Sequence, residues 1–231
     1  ERIFLHLFDQ RGLPLGRNRE RKLEGAVLRG EQMRVPAHRV GRCEIVTGVP
    51  GAYARDAARR SRLSPAPLKR LEVAVTGRTA ADRALAEALS ALGCAVARSP
   101  RPGIPSFRTQ RGGFHLLAWD EEGDPLSPEL LLAIVTLIDY EHACGPVALP
   151  ASAPAALDTL AAQYGCATLR LGRDGQEAEA RYAAAPWLRD ALFAACRICS
   201  HMALSGARLR GLSGQIPAFT LRRRELPLDG D

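Results

Sequence analysis

Leu71-Glu-Val-Ala-Val75, the turn Thr76-Gly77, Thr79, and then Leu92-Gly-Cys-Ala-Val-Ala97 decide the fold. The first five residues carry β-branched and apolar side chains bounded by a turn, which reads as a strand. Thr79 suits an N-cap, the apolar pattern between them predicts a helix to about Leu92, and Gly93 supplies its C-terminal stop. Cys94–Ala97 is then the next strand, so the segment is a βαβ unit. Parallel strands joined by a helix call for an open α/β sheet with right-handed crossovers. Backbone N–H groups at such a strand-to-helix turn can hold phosphate. With Gly77 alone, and neither G-x-G-x-x-G nor G-x-x-x-x-G-K-[ST], nucleotide binding is not expected there.

The same unit recurs downstream. After the Pro-rich stretch Ser99–Pro105, read as irregular, Phe114-His-Leu-Leu-Ala-Trp119 reads as a strand turning at Asp120-Glu-Glu-Gly-Asp124. Ser127 and Pro128 cap and open a helix to about Tyr140. A second βαβ follows: strand Pro146–Leu149, helix Ser152–Tyr164 ended by Gly165, strand Ala167–Leu171. Gly172–Arg181 reads as an exposed charged loop, Pro186 to about Leu204 as one long helix, and Phe219–Leu226 as a strand. Repeated βαβ units make this an α/β protein.

Upstream, Ile3–Phe8 reads as an interior strand, which predicts a chain continuing beyond its first residue. Helices are expected at Arg19–Arg29 and Ala52–Leu63, and Ser64-Pro-Ala-Pro67 breaks the pattern as a domain boundary. The net charge of +7 is uneven: residues 1–70 hold 16 of the 32 Lys and Arg but 7 of the 25 Asp and Glu. That balance of +9 could meet an acidic partner, a flanking domain, a second copy or nucleic acid. Nucleic acid is disfavoured, because no basic run is interleaved with aromatics.

At 231 residues with 46% hydrophobic and 25% charged side chains, the composition is that of a globular protein. No apolar run approaches the roughly 20 residues that cross a bilayer, so no membrane partner is expected. Six dispersed cysteines fit a reducing, cytoplasmic setting. Cys196-Arg-Ile-Cys199 lacks a second ligand pair for zinc and reads as buried thiols on one helix face. The five histidines do not cluster in sequence.

Several segments together resemble the α-D-phosphohexomutase superfamily of phosphomannomutases and phosphoglucomutases, and in particular the mutase-like region fused behind bacterial sugar-1-phosphate nucleotidyltransferases. Phe8-Asp-Gln-Arg-Gly12 with Glu20-Arg-Lys-Leu-Glu24 resembles "FD..G … ERKIE", and Arg34-Val-Pro with His38-Arg-Val-Gly41 resembles "RR … eIG". Leu92-Gly-Cys-Ala-Val96 resembles "LG.eV". Trp119-Asp-Glu-Glu-Gly123 with Leu126–Ala133 resembles "vDe.G..Ls.d.lLal", and Arg189-Asp-Ala-Leu-Phe193 resembles "RDAl", which opens the last helix of the family's third domain.

The resemblance implies three-layer α/β/α domains, the first incomplete: 1–66 as a remnant of the first domain, 67–143 as the second, 144–231 as the third. It implies phosphoryl transfer between sugar hydroxyls by a phosphoserine facing a Mg2+ in a D-x-D-x-D-R loop. Asp120, Glu122 and Asp124 match the i, i+2, i+4 spacing and are the candidate metal ligands, with Pro125 in the place of the Arg. In the alternative alignment, which Leu126–Ala133 continues without a gap, Asp120–Gly123 is the hairpin after the metal loop. The loop itself is then deleted near Gly112-Gly113, and the acidic residues form a solvated turn. The phosphoserine loop and the phosphate-gripping fourth domain have no counterpart in this sequence, and Gln176-Glu177 is no match for the sugar-selecting G-E-x-[ST]. The expected role is therefore structural, regulatory or sugar-phosphate-binding, without mutase catalysis in this chain. An active mutase completed by flanking domains and a basic partner-binding module are the alternatives.

Overall fold

The structure, a computed structural model, describes residues 7, 10, 15–30, 36–39, 47–66, 70–142, 146–172 and 176–220. The strands expected at Ile3–Phe8 and Phe219–Leu226 fall almost wholly outside that set.

The deciding segment folds as its sequence dictates. Strand β1 (Glu72–Val75) leads into helix α3 (Ala80–Leu92), which returns the chain to β2 (Ala95–Ala97), paired parallel with β1 through Glu72↔Ala95 and Val73↔Val96. The Thr79 hydroxyl accepts the Asp82 N–H at 3.1 Å while Asp82 accepts the Thr79 N–H at 2.9 Å, a reciprocal capping box. Gly93, at φ +110°, ends the helix in the left-handed region that favours glycine. Leu85, Ala88, Leu89 and Leu92 line its buried face.

Strand β3 (Ser106–Gln110) lies on the other side of β1, parallel to it, with Ala74↔Ser106 and Val75↔Phe107 in register. The sequence does not predict it: Phe107 is the only apolar residue of the five, behind a Pro- and Gly-rich stretch, and only the partners on both sides define it. From there β4 (His115–Trp119) returns antiparallel, and the short β5 (Pro125–Leu126) follows, giving a five-stranded sheet in the order β2-β1-β3-β4-β5. Helix α4 (Pro128–His142) starts where Ser127 accepts the Leu130 N–H at 3.1 Å. It is buried nearly all round, from Leu131 to Tyr140, as a helix enclosed by other elements must be.

The second unit gives a two-stranded parallel sheet, β6 (Val147–Pro150) and β7 (Thr168–Leu171), joined by α5 (Ala156–Gln163). Two expectations change beyond it. Part of the stretch read as a charged loop is helix α6 (Gln176–Ala184), and the helix expected from Pro186 is interrupted. Pro186–Leu188 forms a single turn. Asp190 then accepts the N–H groups of Leu192 and Phe193 at 2.9 and 3.1 Å, and opens α7 (Ala191–Ser205). A further short helix, α8 (Leu209–Gly214), closes the described chain.

Helix α7 is the hub: it packs against α2 (Val49–Ser61), α3, α4 and β4. Ala54, Ala57 and Ala58 on α2 are buried, and their small side chains let that helix lie close to its neighbours. At the end of α2, Ser61 donates to the Phe193 carbonyl at 3.0 Å and Ser200 accepts the Leu63 N–H at 2.9 Å. One connected core runs from Ala54 to Ile216. Each fully buried Leu or Ile in it, such as Leu85, Ile134 and Ile198, contributes about 1.5–3 kcal/mol. Helix α1 (Arg17–Leu28) contrasts with this, since none of its residues is buried. No helix among the described residues is long and apolar enough to cross a membrane.

Candidate functional site

The predicted metal ligands occupy the turn between β4 and β5. Asp120 shapes it: one carboxylate oxygen accepts the N–H groups of Glu122 and Asp124, both at 2.9 Å. Its own N–H donates to the Asp124 carbonyl at 2.9 Å, and Gly123 turns the chain at φ +89°. Asp120–Asp124 thus form the turn of a β4–β5 hairpin, with Pro125 paired opposite Trp119.

The three carboxylates do converge, and they converge on Arg210. Its Nη1 lies 2.9 Å from Asp120, 3.1 Å from Glu122 and 2.7 Å from Asp124. Burial would raise the Asp120 carboxyl, but the N–H groups of Asp124 and Glu122 and the Arg210 guanidinium outweigh it and hold it below the usual range. Arg210 is correspondingly raised, chiefly by Asp124, then Asp120 and Glu122. The intervening Glu121, 5% exposed, instead accepts the backbone N–H groups of Leu209 and Arg210 at 2.7 and 3.0 Å. Glu121 therefore anchors the start of α8, and α8 delivers Arg210 to the turn.

That arrangement does not fit a Mg2+ centre as it stands. Mg2+ needs near-octahedral oxygen ligands at 2.0–2.1 Å and keeps several waters. Here a guanidinium takes one oxygen of each carboxylate, and the second oxygen of Asp120 is committed to the backbone. The ion could enter only if Arg210 left.

The place where the resemblance locates the missing loop is the tight turn Arg111–Gly113 between β3 and β4, with Gly112 at φ +70° and Gly113 at φ +104°. No carboxylate lies between Gln110 and Phe114. Asp82, buried beneath, accepts both the N–H and the hydroxyl of Thr109 at 2.8 Å and ties the end of β3 to α3.

A cavity of about 90 Å3 opens beside the start of α7, lined by Phe114, His115, Leu131, Trp187, Asp190 and Ala194. That is below the roughly 300–1,000 Å3 typical of ligand pockets. Next to it, Arg197 holds Asp139 at 2.8 Å and stacks its guanidinium 4.4 Å from the Trp187 ring centre, while the Trp187 N–H donates to Asp139 at 2.6 Å. Burial raises the Asp139 carboxyl against the pull of Trp187 and Arg197. Tyr53 donates to Asp190, which burial also raises. These groups fasten helices together.

Two other expectations find their places. Cys196 and Cys199 are fully buried on α7 and free, and burial drives the Cys196 thiol up. Cys199 hydrogen-bonds Cys94, which likewise raises it. The histidines, dispersed in sequence, include one pair the fold brings together: His142 at the end of α4 and His201 on α7 stand 3.3 Å apart, with Glu141 alongside. The sequence shows Glu141-His142 only as the polar end of an apolar helix.

No family model and no curated protein matches this chain. Its fold is similar to that of a phosphoglucomutase/phosphomannomutase family protein from Burkholderia thailandensis. The TM-score is 0.62 at 14% identity, over 90% of this chain and 54% of that one. A protein from Thermus thermophilus assigned as a phosphomannomutase gives a TM-score of 0.58 at 12% identity, over 89% of this chain and 57% of that one. The chain has the mixed α/β fold of these proteins, and spans little more than half their length.

Proposed function

We propose that this chain is a phosphohexomutase-like unit, related to the mutase-like regions of sugar-nucleotide biosynthesis, that does not carry out phosphoryl transfer by itself. Its role is structural or regulatory, with sugar phosphate as the ligand class the resemblance suggests. One observation carries the reading: the three carboxylates spaced like a metal loop are all engaged by Arg210, so their function is to hold α8 and the β4–β5 turn together. The carboxylate-free β3–β4 turn supports it. The free thiols fit a cytoplasmic setting, and the exposed, Arg-rich α1 suits docking to a flanking domain or a second copy.

The test is an assay of the purified chain for conversion of mannose 1-phosphate to mannose 6-phosphate, with Mg2+ and a bisphosphate activator. The expected rate is that of the buffer blank. Turnover above the blank that Asp124→Asn abolishes would overturn the proposal and establish the acidic turn as a metal loop. The length ratio favours a second reading, an active mutase assembled with further domains. Its test is the same assay and the same substitution in a longer chain carrying those domains.

A further inference from the structure

The end of α4 and the middle of α7 create a constellation that the acidic turn and the mutase resemblance leave unused. His142 Nε2 stands 3.3 Å from His201 Nδ1, and Glu141 Oε2 stands 3.6 Å from the same His201 nitrogen. The three ligand-type atoms all lie within 4.8 Å of one another. We propose that Glu141, His142 and His201 form a binding site for a zinc-class divalent cation, independent of the acidic turn and of any mutase chemistry.

The spacing suits ligation as well as direct pairing. The His142–His201 separation of 3.3 Å lies at the long edge of hydrogen bonding, and the Glu141–His201 separation of 3.6 Å lies beyond it. Ligands about 2.0–2.1 Å from a tetrahedral ion stand roughly 3.3–3.5 Å from one another, close to what is observed. The rings are set edge to face, at 73° with centroids 5.5 Å apart, so that neither stacks over the other.

The donor set selects the ion. Two imidazoles and a carboxylate suit Zn2+ and its neighbours, whereas Mg2+ prefers oxygen alone. Burial lowers the His201 pKa against the opposing charge of Glu141, which favours the neutral, ligating ring. Arg197, one turn earlier on α7, has its charge matched by Asp139 and leaves the cation less opposed. The Tyr164 hydroxyl donates to Glu141 Oε1 at 3.3 Å, an outer contact that leaves Oε2 for the ion. The last turn of α4 adds its carbonyl dipoles, which attract cations.

His201 is buried while Glu141 and His142 are exposed, so the ion would sit at the surface with a fourth position open to water or to an external ligand. A three-ligand site with an open position is the arrangement zinc adopts where it does chemistry or bridges to a partner.

The experiment uses the purified full chain, stripped with EDTA, dialysed against zinc sulfate and assayed for bound metal by atomic emission, with titration calorimetry for affinity. One Zn2+ per chain is expected, undiminished by excess Mg2+. His142→Ala and Glu141→Gln, both at exposed positions, are expected to weaken binding at least about tenfold, with the circular dichroism spectrum unchanged. Cobalt loaded in place of zinc should give a tetrahedral absorption band that His142→Ala removes. A wild-type chain that binds no zinc, or one whose zinc binding and cobalt spectrum survive both substitutions, would overturn the proposal; the second result would assign the metal to other groups such as the thiols.

Discussion

Arg210 Nη1 lies 2.9 Å from Asp120 Oδ2, across 90 positions of sequence, and closes the acidic turn that would otherwise have three convergent carboxylates. A covalently tethered guanidinium competes with any free cation for the same oxygens. The expected outcome is that wild-type chain shows no Mg2+ binding heat, and that Arg210→Gln gains measurable binding. Equal Mg2+ titrations for the two proteins would mean that Arg210 does not guard the turn.

Glu121 and Glu122 are neighbours in sequence with different work to do. Glu121 is buried and accepts two backbone N–H groups at the start of α8, while Glu122 is exposed. Hydrogen bonds to a charged acceptor are worth about 1.5–3 kcal/mol, so Glu121→Ala should destabilise the chain by about 2–3 kcal/mol. Glu122→Ala should change stability by less than about 0.5 kcal/mol. Urea unfolding of the two variants checks the contrast, and similar midpoints would refute it.

Asp139 and Arg197 form an ion pair with side chains 6% and 9% exposed. Removing one partner strands the other charge inside, at a cost of about 3–5 kcal/mol. Asp139→Leu alone should approach that loss. The double replacement Asp139→Leu with Arg197→Met should recover most of it, because well-packed apolar side chains often match a buried pair. A double variant no more stable than the single one would show that Trp187 and the ring stacking, more than the ion pair, hold α4 to α7.

What is legible in the sequence follows a physical line. Helix α3 is readable from end to end because Thr79, Asp82 and Gly93 act locally, and α4 because Ser127 and Pro128 start it. The start of α7 is legible in one way and hidden in another: apolar periodicity extends the helix back to Pro186, while the likeness of Arg189–Phe193 to a family helix start marks the position that Asp190 caps. Strand β3 escapes notice because Ser106–Gln110 has no signal of its own apart from the strands that flank it. Part of the α6 segment reads as loop on its charges, although charged residues also occupy exposed helix faces. In the acidic turn the spacing of Asp120, Glu122 and Asp124 is visible but its partner is not, since nothing near position 210 points back to position 120. The His142–His201 pair is hidden for the same reason, 59 residues apart.

The alanine face of α2 sets how close that helix comes to α3 and α7. Ala57 is fully buried, so Ala57→Leu must push the helices apart or force strained rotamers, at about 1–3 kcal/mol. For a chain of this size each kcal/mol lowers Tm by about 2–4 °C. Thermal unfolding followed by circular dichroism should show the drop. An unchanged Tm would mean that α2 is free to shift on α7.

Asp82 gives the fold an acid limit whose sign can be worked out. Burial alone would raise its carboxyl, but the hydroxyls and N–H groups of Thr79 and Thr109 outweigh that and hold it below the ordinary carboxylate value. A carboxyl depressed in the folded state stabilises the fold fully above its unfolded pKa, about 3.9, and loses that contribution as pH falls through the lower folded value. The Asp82 contribution should thus be constant from neutrality to about pH 5 and fade below about pH 4. Asp82→Asn keeps the shape but cannot accept all four hydrogen bonds with both oxygens. The variant is expected to be less stable than wild type at pH 7, with the gap narrowing toward pH 3. Gly77 is part of the same device, because a Cβ there would fall 2.0 Å from an Asp82 oxygen, so Gly77→Ala should displace the carboxylate and reproduce the Asn phenotype. Parallel urea titrations at pH 7, 5 and 3 decide the point. A gap between wild type and Asp82→Asn that stays constant across all three would show that the Asp82 charge does not hold β3 to α3.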